Sequence, residues 1–113
     1  MKGMERAILQ IEDAQGANRK RRALLEEAWD DFERFSLWRR SWLDECAAST
    51  PSGPQGQGRL FRLLQMSEAL EAECRTTVGD LLDENLEERS SLDRRREELY
   101  ERHLRALREE DGR

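Results

Sequence analysis

Much that would mark a catalyst or a binding cassette is missing from these 113 residues. There is one histidine, His103, and no cysteine or second histidine stands at metal-ligand spacing from it. The two cysteines, Cys46 and Cys74, are too few for a disulfide framework and form no CxxC pair for zinc. Neither GxxxxGK[ST] nor GxGxxG occurs, so no phosphate-cradling loop is expected and no cofactor is implied. Positive charge is also short. The formal net charge is -5, and the only lysines are Lys2 and Lys20. An acidic chain lacks the field that meets phosphates, which argues against nucleic acid and against anionic membrane surfaces as partners.

Long apolar runs are absent too. None reaches the roughly 18 residues that insertion across a bilayer requires. The opening MKGMERAILQ lacks the apolar centre of a signal peptide. A cytoplasmic location is therefore the default expectation. Acidic pairs are plentiful, as at Asp30-Asp31 and Glu97-Glu98, but they read as solvated helix faces, and the chain is expected not to be an enzyme.

What remains is helix. Charged residues make up 40% of the chain and apolar residues 36%, a balance suited to long helices that each bury one stripe. Residues 3–48 contain no proline, and Ile8, Ile11, Leu25, Ala28, Phe32, Phe35, Trp42 and Cys46 recur at helical steps. The segment 49–58, STPSGPQGQG, holds both prolines and is the strongest breaker in the sequence. Ser49 or Thr50 would end the first helix and Pro51 would bar its continuation. The helical pattern resumes at 59 and runs to about 111, with Leu92, Leu99 and Ala106 at heptad spacing. Gly79-Asp80 and Ser90-Ser91 are the places where it could break. The tail EEDGR is expected to fray.

One helical domain over residues 1–113 follows: an all-α, antiparallel two-helix coiled-coil hairpin. A pivot near residue 53 sets opposite each other positions whose numbers add to about 106. Trp42 then faces Leu64, Phe32 faces Cys74, Leu25 faces Leu81 and Glu12 faces Arg94. The basic run Arg19, Lys20, Arg21, Arg22 falls opposite Glu84 to Glu87, with Asp83 and Glu88 flanking that stretch. Cys46 and Cys74 would sit about 14 residues apart along the helices, near 20 Å, too far for a disulfide. The first half of helix one is thinly apolar, with Gln15 and Asn18 at core-like positions, and is expected to fray when alone.

The aromatics exceed what this hairpin needs. All three tryptophans and two of the three phenylalanines lie between Leu24 and Leu43. Projected at about 100° per residue, Trp29, Phe32, Phe35, Trp38 and Trp42 share about half the helix circumference. Leu37 lies outside that arc, and Phe61 stands off the Leu60-Leu64 row. A two-helix seam covers a narrower stripe. The surplus calls for a third helix, a second copy or a protein partner, and these seven residues are the candidate contact set.

Two resemblances bear on this. LLEEAWDDFERFSLWRRSWLDE is similar to the first helix of a spectrin repeat, carried by Trp29, Phe32 and Trp42-Leu43 over about a quarter of the chain. It implies a three-helix spacer of a cytoskeletal assembly, and requires a second turn within 59–110. The small, Arg/Glu-rich, cysteine-poor hairpin also resembles the central-stalk proteins of flagellar and type III secretion export machines. That resemblance implies a non-enzymatic adaptor whose open end, residues 3–22 and 90–111, meets a ring ATPase. No residue motif is specific to it.

Overall fold

The computed structural model describes residues 2–50 and 53–112. It is an all-α helical hairpin. Helix α1 spans Lys2–Ser49 and helix α2 spans Pro54–Asp111. No strand occurs among the described residues. The ends follow local chemistry. Three hydroxyl contacts close α1: Ser49 Oγ donates to the Glu45 carbonyl at 2.9 Å and to that of Cys46 at 3.3 Å, and Thr50 Oγ1 donates to the same Cys46 carbonyl at 2.6 Å. The part expected of Pro51 lies outside the described residues.

Helix α2 starts five residues earlier than the breaker 49–58 suggests. Proline is well suited to a first helical position, where its missing N–H has no partner to lose and its φ is already helical. The carbonyl of Gly53 accepts the first bond of the helix, from Gln57 N–H at 3.1 Å. Pro54 thus opens the second helix instead of extending the gap, and Gly56 and Gly58 fall inside it. The break allowed at Gly79 or Ser90 does not occur, since α2 continues through both. Nor does the tail unwind before Asp111.

Tertiary contacts divide into two compact units. The first joins Met1–Leu24 with Leu82–Arg113; the second is Leu25–Leu81. In both, the buried positions of α1 fall on two rows of period seven. One runs Met4, Ile11, Asn18, Leu25, Phe32, Arg39, Cys46; the other runs Ile8, Gln15, Arg22, Trp29, Ser36, Leu43, Thr50. The α2 seam runs Leu60, Leu64, Ser67, Glu71, then Val78, Leu82, Asn85, and on through Leu92, Arg96, Leu99, His103 and Ala106. Arg75 fills the step between Glu71 and Val78. The pattern takes one extra four-residue step at Ser67–Glu71–Arg75, which returns a helix under heptad spacing toward its relaxed 3.6-residue period.

The seam is more polar than the apolar spacing predicts. Among the described residues the buried apolar set is Ile8, Ile11 and Leu43, while Asn18, Ser36, Ser67 and Asn85 are also buried. Two of the three buried apolar residues lie in the thinly apolar half of α1. That half is held by a reciprocal amide pair. Asn18 Nδ2 donates to the Asn85 carbonyl at 3.0 Å, and Asn85 Nδ2 donates to the Asn18 carbonyl at 3.1 Å. Asn18 also donates to Glu88 Oε1 at 2.9 Å. Around this pair, Arg21 bonds Glu88, Gln15 donates to Asp93 at 2.7 Å and Arg96 meets Glu12 at 3.8 Å. In this unit opposed numbers add to between 103 and 109, close to the sequence register. Glu12 takes Arg96 instead of Arg94, a shift of two residues. His103 is half-buried on the seam.

Two stability outcomes follow. Asn18→Ala removes a buried donor from two acceptors and should cost about 1–3 kcal/mol, read by chemical denaturation. Gly79→Ala should do the opposite. Gly79 is helical, and nothing lies within 4 Å of the Cβ it would gain. A gain of about 0.5–1 kcal/mol in the same assay is expected.

Candidate functional site

The candidate residues all belong to the second unit, Leu25–Leu81, and the seam phase sorts them. Trp29 and Phe32 occupy seam positions and are half-buried, their rings 6.0 Å apart. The guanidinium of Arg75 lies over both, at 5.6 Å from the Trp29 ring and 5.7 Å from that of Phe32. Glu33 steadies Arg75 at 3.5 Å. Cation–π contacts at such half-exposed sites contribute about 0.5–1 kcal/mol. These two aromatics therefore serve the hairpin itself.

Phe35, Trp38 and Trp42 stand one position before the seam residues Ser36, Arg39 and Leu43. They remain 54%, 62% and 45% exposed. Phe35 and Trp38 touch, with centroids 5.9 Å apart, and the Arg39 guanidinium covers one face of Phe35. Helix α2 repeats the pattern. Leu63, Met66 and Leu70 stand one position before Leu64, Ser67 and Glu71, and all three are exposed. In two antiparallel helices the positions preceding the seam lie on the same side of the pair. The positions following it line the other side. There Arg40, Asp44 and Glu68 border a shallow groove of 510 Å³ with Leu43, Leu64 and Ser67. Leu37 and Phe61, both exposed, follow the seam and so fall on this second, charged side.

The unit thus has one apolar side, built from Phe35, Trp38, Trp42, Leu63, Met66 and Leu70, and one charged side. Sequence projection put Ala28, Phe35 and Trp42 in the core stripe. A seam of period seven passes through Trp29, Ser36 and Leu43 instead, one position later, and leaves them outside. Leu63, Met66 and Leu70 went unnamed as contact residues, although their spacing matched that of Phe35, Trp38 and Trp42.

On the charged side the seam carries an ion triad. Arg39 approaches Glu71 Oε1 at 2.8 Å and Arg40 approaches its Oε2 at 3.2 Å. The Arg39 and Glu71 side chains are largely shielded, at 16% and 12% exposure. Burial alone would push the Glu71 carboxyl up, but the hydrogen bonds from Arg40 and Arg39 outweigh it and hold the group below its ordinary 4.5. Glu88, in the first unit, is also held low, by hydrogen bonds from Asn18 and Arg21.

No cluster of three or more His, Cys, Asp or Glu side chains able to hold a metal occurs among the described residues. Cys46 and Cys74 are both free thiols, and Cys74 is exposed instead of packed against Phe32. No described helix is long and apolar enough to cross a membrane. Neither a protein-family model nor a characterised protein nor a solved structure matches this chain, so its function has to be read from its own residues.

The low-lying carboxyls give a pH outcome with a definite sign. A carboxylate held below 4.5 in the folded state stabilises the fold above that value, and the contribution is lost as pH falls through the folded pKa. Melting temperature should hold from pH 7 to about 5 and fall below that. Glu71→Gln should lower it at pH 7 and flatten part of the acid slope.

Proposed function

We propose that this protein is a non-enzymatic helical adaptor that acts through protein–protein contact. The observation that carries the reading is the apolar side of the second unit, where Phe35, Trp38 and Trp42 are displayed beside Leu63, Met66 and Leu70. A folded chain normally shields a tryptophan pair from water, and clustered exposed aromatics of this kind are the usual anchors of protein interfaces. The ordered seam beneath them is a rigid mount. Ser36, Arg39 and Leu43 turn inward and leave the preceding residues to face out.

The hairpin architecture supports the finer reading of a stalk or chaperone-like component of an export machine. A spectrin-like spacer has less support, because it needs a second turn within residues 59–110 and α2 runs unbroken there.

Photo-crosslinking in the source cell tests the proposal. A photoreactive side chain at position 38, 42 or 66 should give protein adducts; one at 40, 44 or 68, on the charged side, should give few. Trp38→Ala with Trp42→Ala should weaken the captured contact by about 30-fold or more, the usual effect of truncating an anchor, with helicity by circular dichroism unchanged. Adducts spread evenly over both sides, or a contact indifferent to the double change, would remove the reading.

A further inference from the structure

We infer that the first unit carries a docking surface of its own, built on Leu9, Tyr100, Leu104 and Leu107, and that its occupant is a basic amphipathic helix of a partner protein. The surface goes beyond the adaptor reading and uses none of the aromatic residues on which that reading rests.

The four residues share one side of the unit. Each follows a seam position: Leu9 follows Ile8, Tyr100 follows Leu99, Leu104 follows His103 and Leu107 follows Ala106. All four are exposed. Opposed numbers of 103 to 109 set Leu9 across from Tyr100, and Leu104 and Leu107 continue the row toward the chain termini. The Tyr100 ring is held in place. The Arg96 guanidinium lies over it at 4.9 Å and donates to its hydroxyl at 3.4 Å, and Glu12 holds Arg96 in turn at 3.8 Å. A single exposed leucine needs no explanation, but a contiguous group on one side of a helix pair marks an interaction site. The groove between two such helices accepts the apolar face of a third.

Charge names the occupant. The other positions that follow the seam here are Glu5 and Glu12 on α1 and Asp93 and Glu97 on α2, all acidic. No basic residue follows a seam position from Met4 to Ile11 or from Leu92 to Ala106, in a chain with 20 lysines and arginines. On the seam itself Arg96 offsets Glu12, and Gln15 donates to Asp93. Beyond the patch, Lys2 and Asp111 offset each other, and Arg19 marks its inner limit. The outward positions Arg6, Asp13, Arg94, Glu101 and Arg108 mix both signs. Leucines ringed by carboxylates suit a helix whose apolar row is flanked by lysine or arginine, and they reject an acidic one.

A second copy does not meet these conditions. Its own Leu9 and Leu104 side would bring carboxylate against carboxylate. The opposite side of the unit holds Arg95, Arg102 and Arg105, but the α1 residues beside them, Ala7, Gln10 and Ala14, are too small or too polar to cover four large apolar side chains.

Two experiments read the inference. On the purified full chain, fluorescence anisotropy follows a labelled amphipathic helix of leucine and lysine, about five turns long. It should bind, and a counterpart with glutamate in place of lysine should not. Leu104→Ser with Leu107→Ser should raise the Kd at least about tenfold, and so should Glu5→Lys with Glu97→Lys, with helicity by circular dichroism unchanged. Reversing two acids of the second unit, Asp44→Lys with Glu68→Lys, should change it by less than about twofold. In the source cell, a photoreactive side chain at position 9 or 104 should crosslink to a Lys- or Arg-rich segment of another protein, and one at position 10 or 95 should not.

Failure of the lysine helix to bind overturns the inference. So does a Kd that responds as strongly to Asp44→Lys with Glu68→Lys, since net charge alone would then account for binding. Adducts from positions 9 and 104 that are absent, acidic in sequence or made to another copy of this chain overturn it as well. None of these outcomes bears on the adaptor reading, which is tested from positions 38, 42 and 66.

Discussion

One residue of helical phase separates the inside of this protein from its surface. A seam of period seven runs along α1 through Asn18, Leu25, Phe32, Arg39 and Cys46, and everything else is placed by its distance from that row. Asn18 is the residue with least freedom to move off it. At 1% exposure its amide has no water to turn to, so it must meet the Asn85 carbonyl, while Asn85 must meet the carbonyl of Asn18. An apolar pair at this position would tolerate slippage, since leucine packs adequately in neighbouring holes. A reciprocal amide pair does not, because a slip leaves buried donors and acceptors without partners. The polar seam gives up some hydrophobic stabilisation for a defined alignment.

The same logic accounts for the aromatic surplus. Had the seam passed through Phe35 and Trp42, the second unit would hold a dry aromatic core and show a polar outside. Instead Ser36 and Arg39 face inward, toward the row that carries Ser67 and Glu71, and Arg39 is neutralised by Glu71 at 2.8 Å. A buried arginine is tolerable only with such a partner. Its presence keeps the bulky aromatics outward, where they can meet another surface. Stability of the hairpin and availability of the aromatics are therefore linked through one choice of phase.

The two halves of the hairpin also divide their labour differently from what hydrophobicity suggests. Among the described residues, the segment rich in Trp and Phe buries one apolar side chain, Leu43, beside Ser36 and Ser67, whereas the charged segment buries Ile8, Ile11 and the asparagine pair. The thin segment relies on small, well-placed groups and cross-helix bonds. The thick segment relies on partial cover, including the Arg75 stem and guanidinium laid over Trp29 and Phe32. Arg75 stands where the α2 seam takes its extra four-residue step, and a long flexible side chain suits that irregular gap.

The sequence by itself determined that there are two helices, where α1 ends, that they run antiparallel, and their alignment to within a few residues. These follow from local chemistry and coarse patterning: a proline-glycine breaker, three- and four-residue steps, and opposite charges at matching distances from the turn. It also showed that the aromatics outnumber the positions a two-helix seam can bury. Only the tertiary structure decided which of them are left out. Phe32 and Phe35 differ by 60° or less on a helical projection at about 100° per residue, too little for hydrophobicity to separate them. What separates them is the polar row, in which Asn18, Ser36, Ser67 and Asn85 sit where an apolar reading would not place them. Their burial is favourable only when the facing helix supplies partners or close packing, and that information resides in the contact between helices, not in either helix alone.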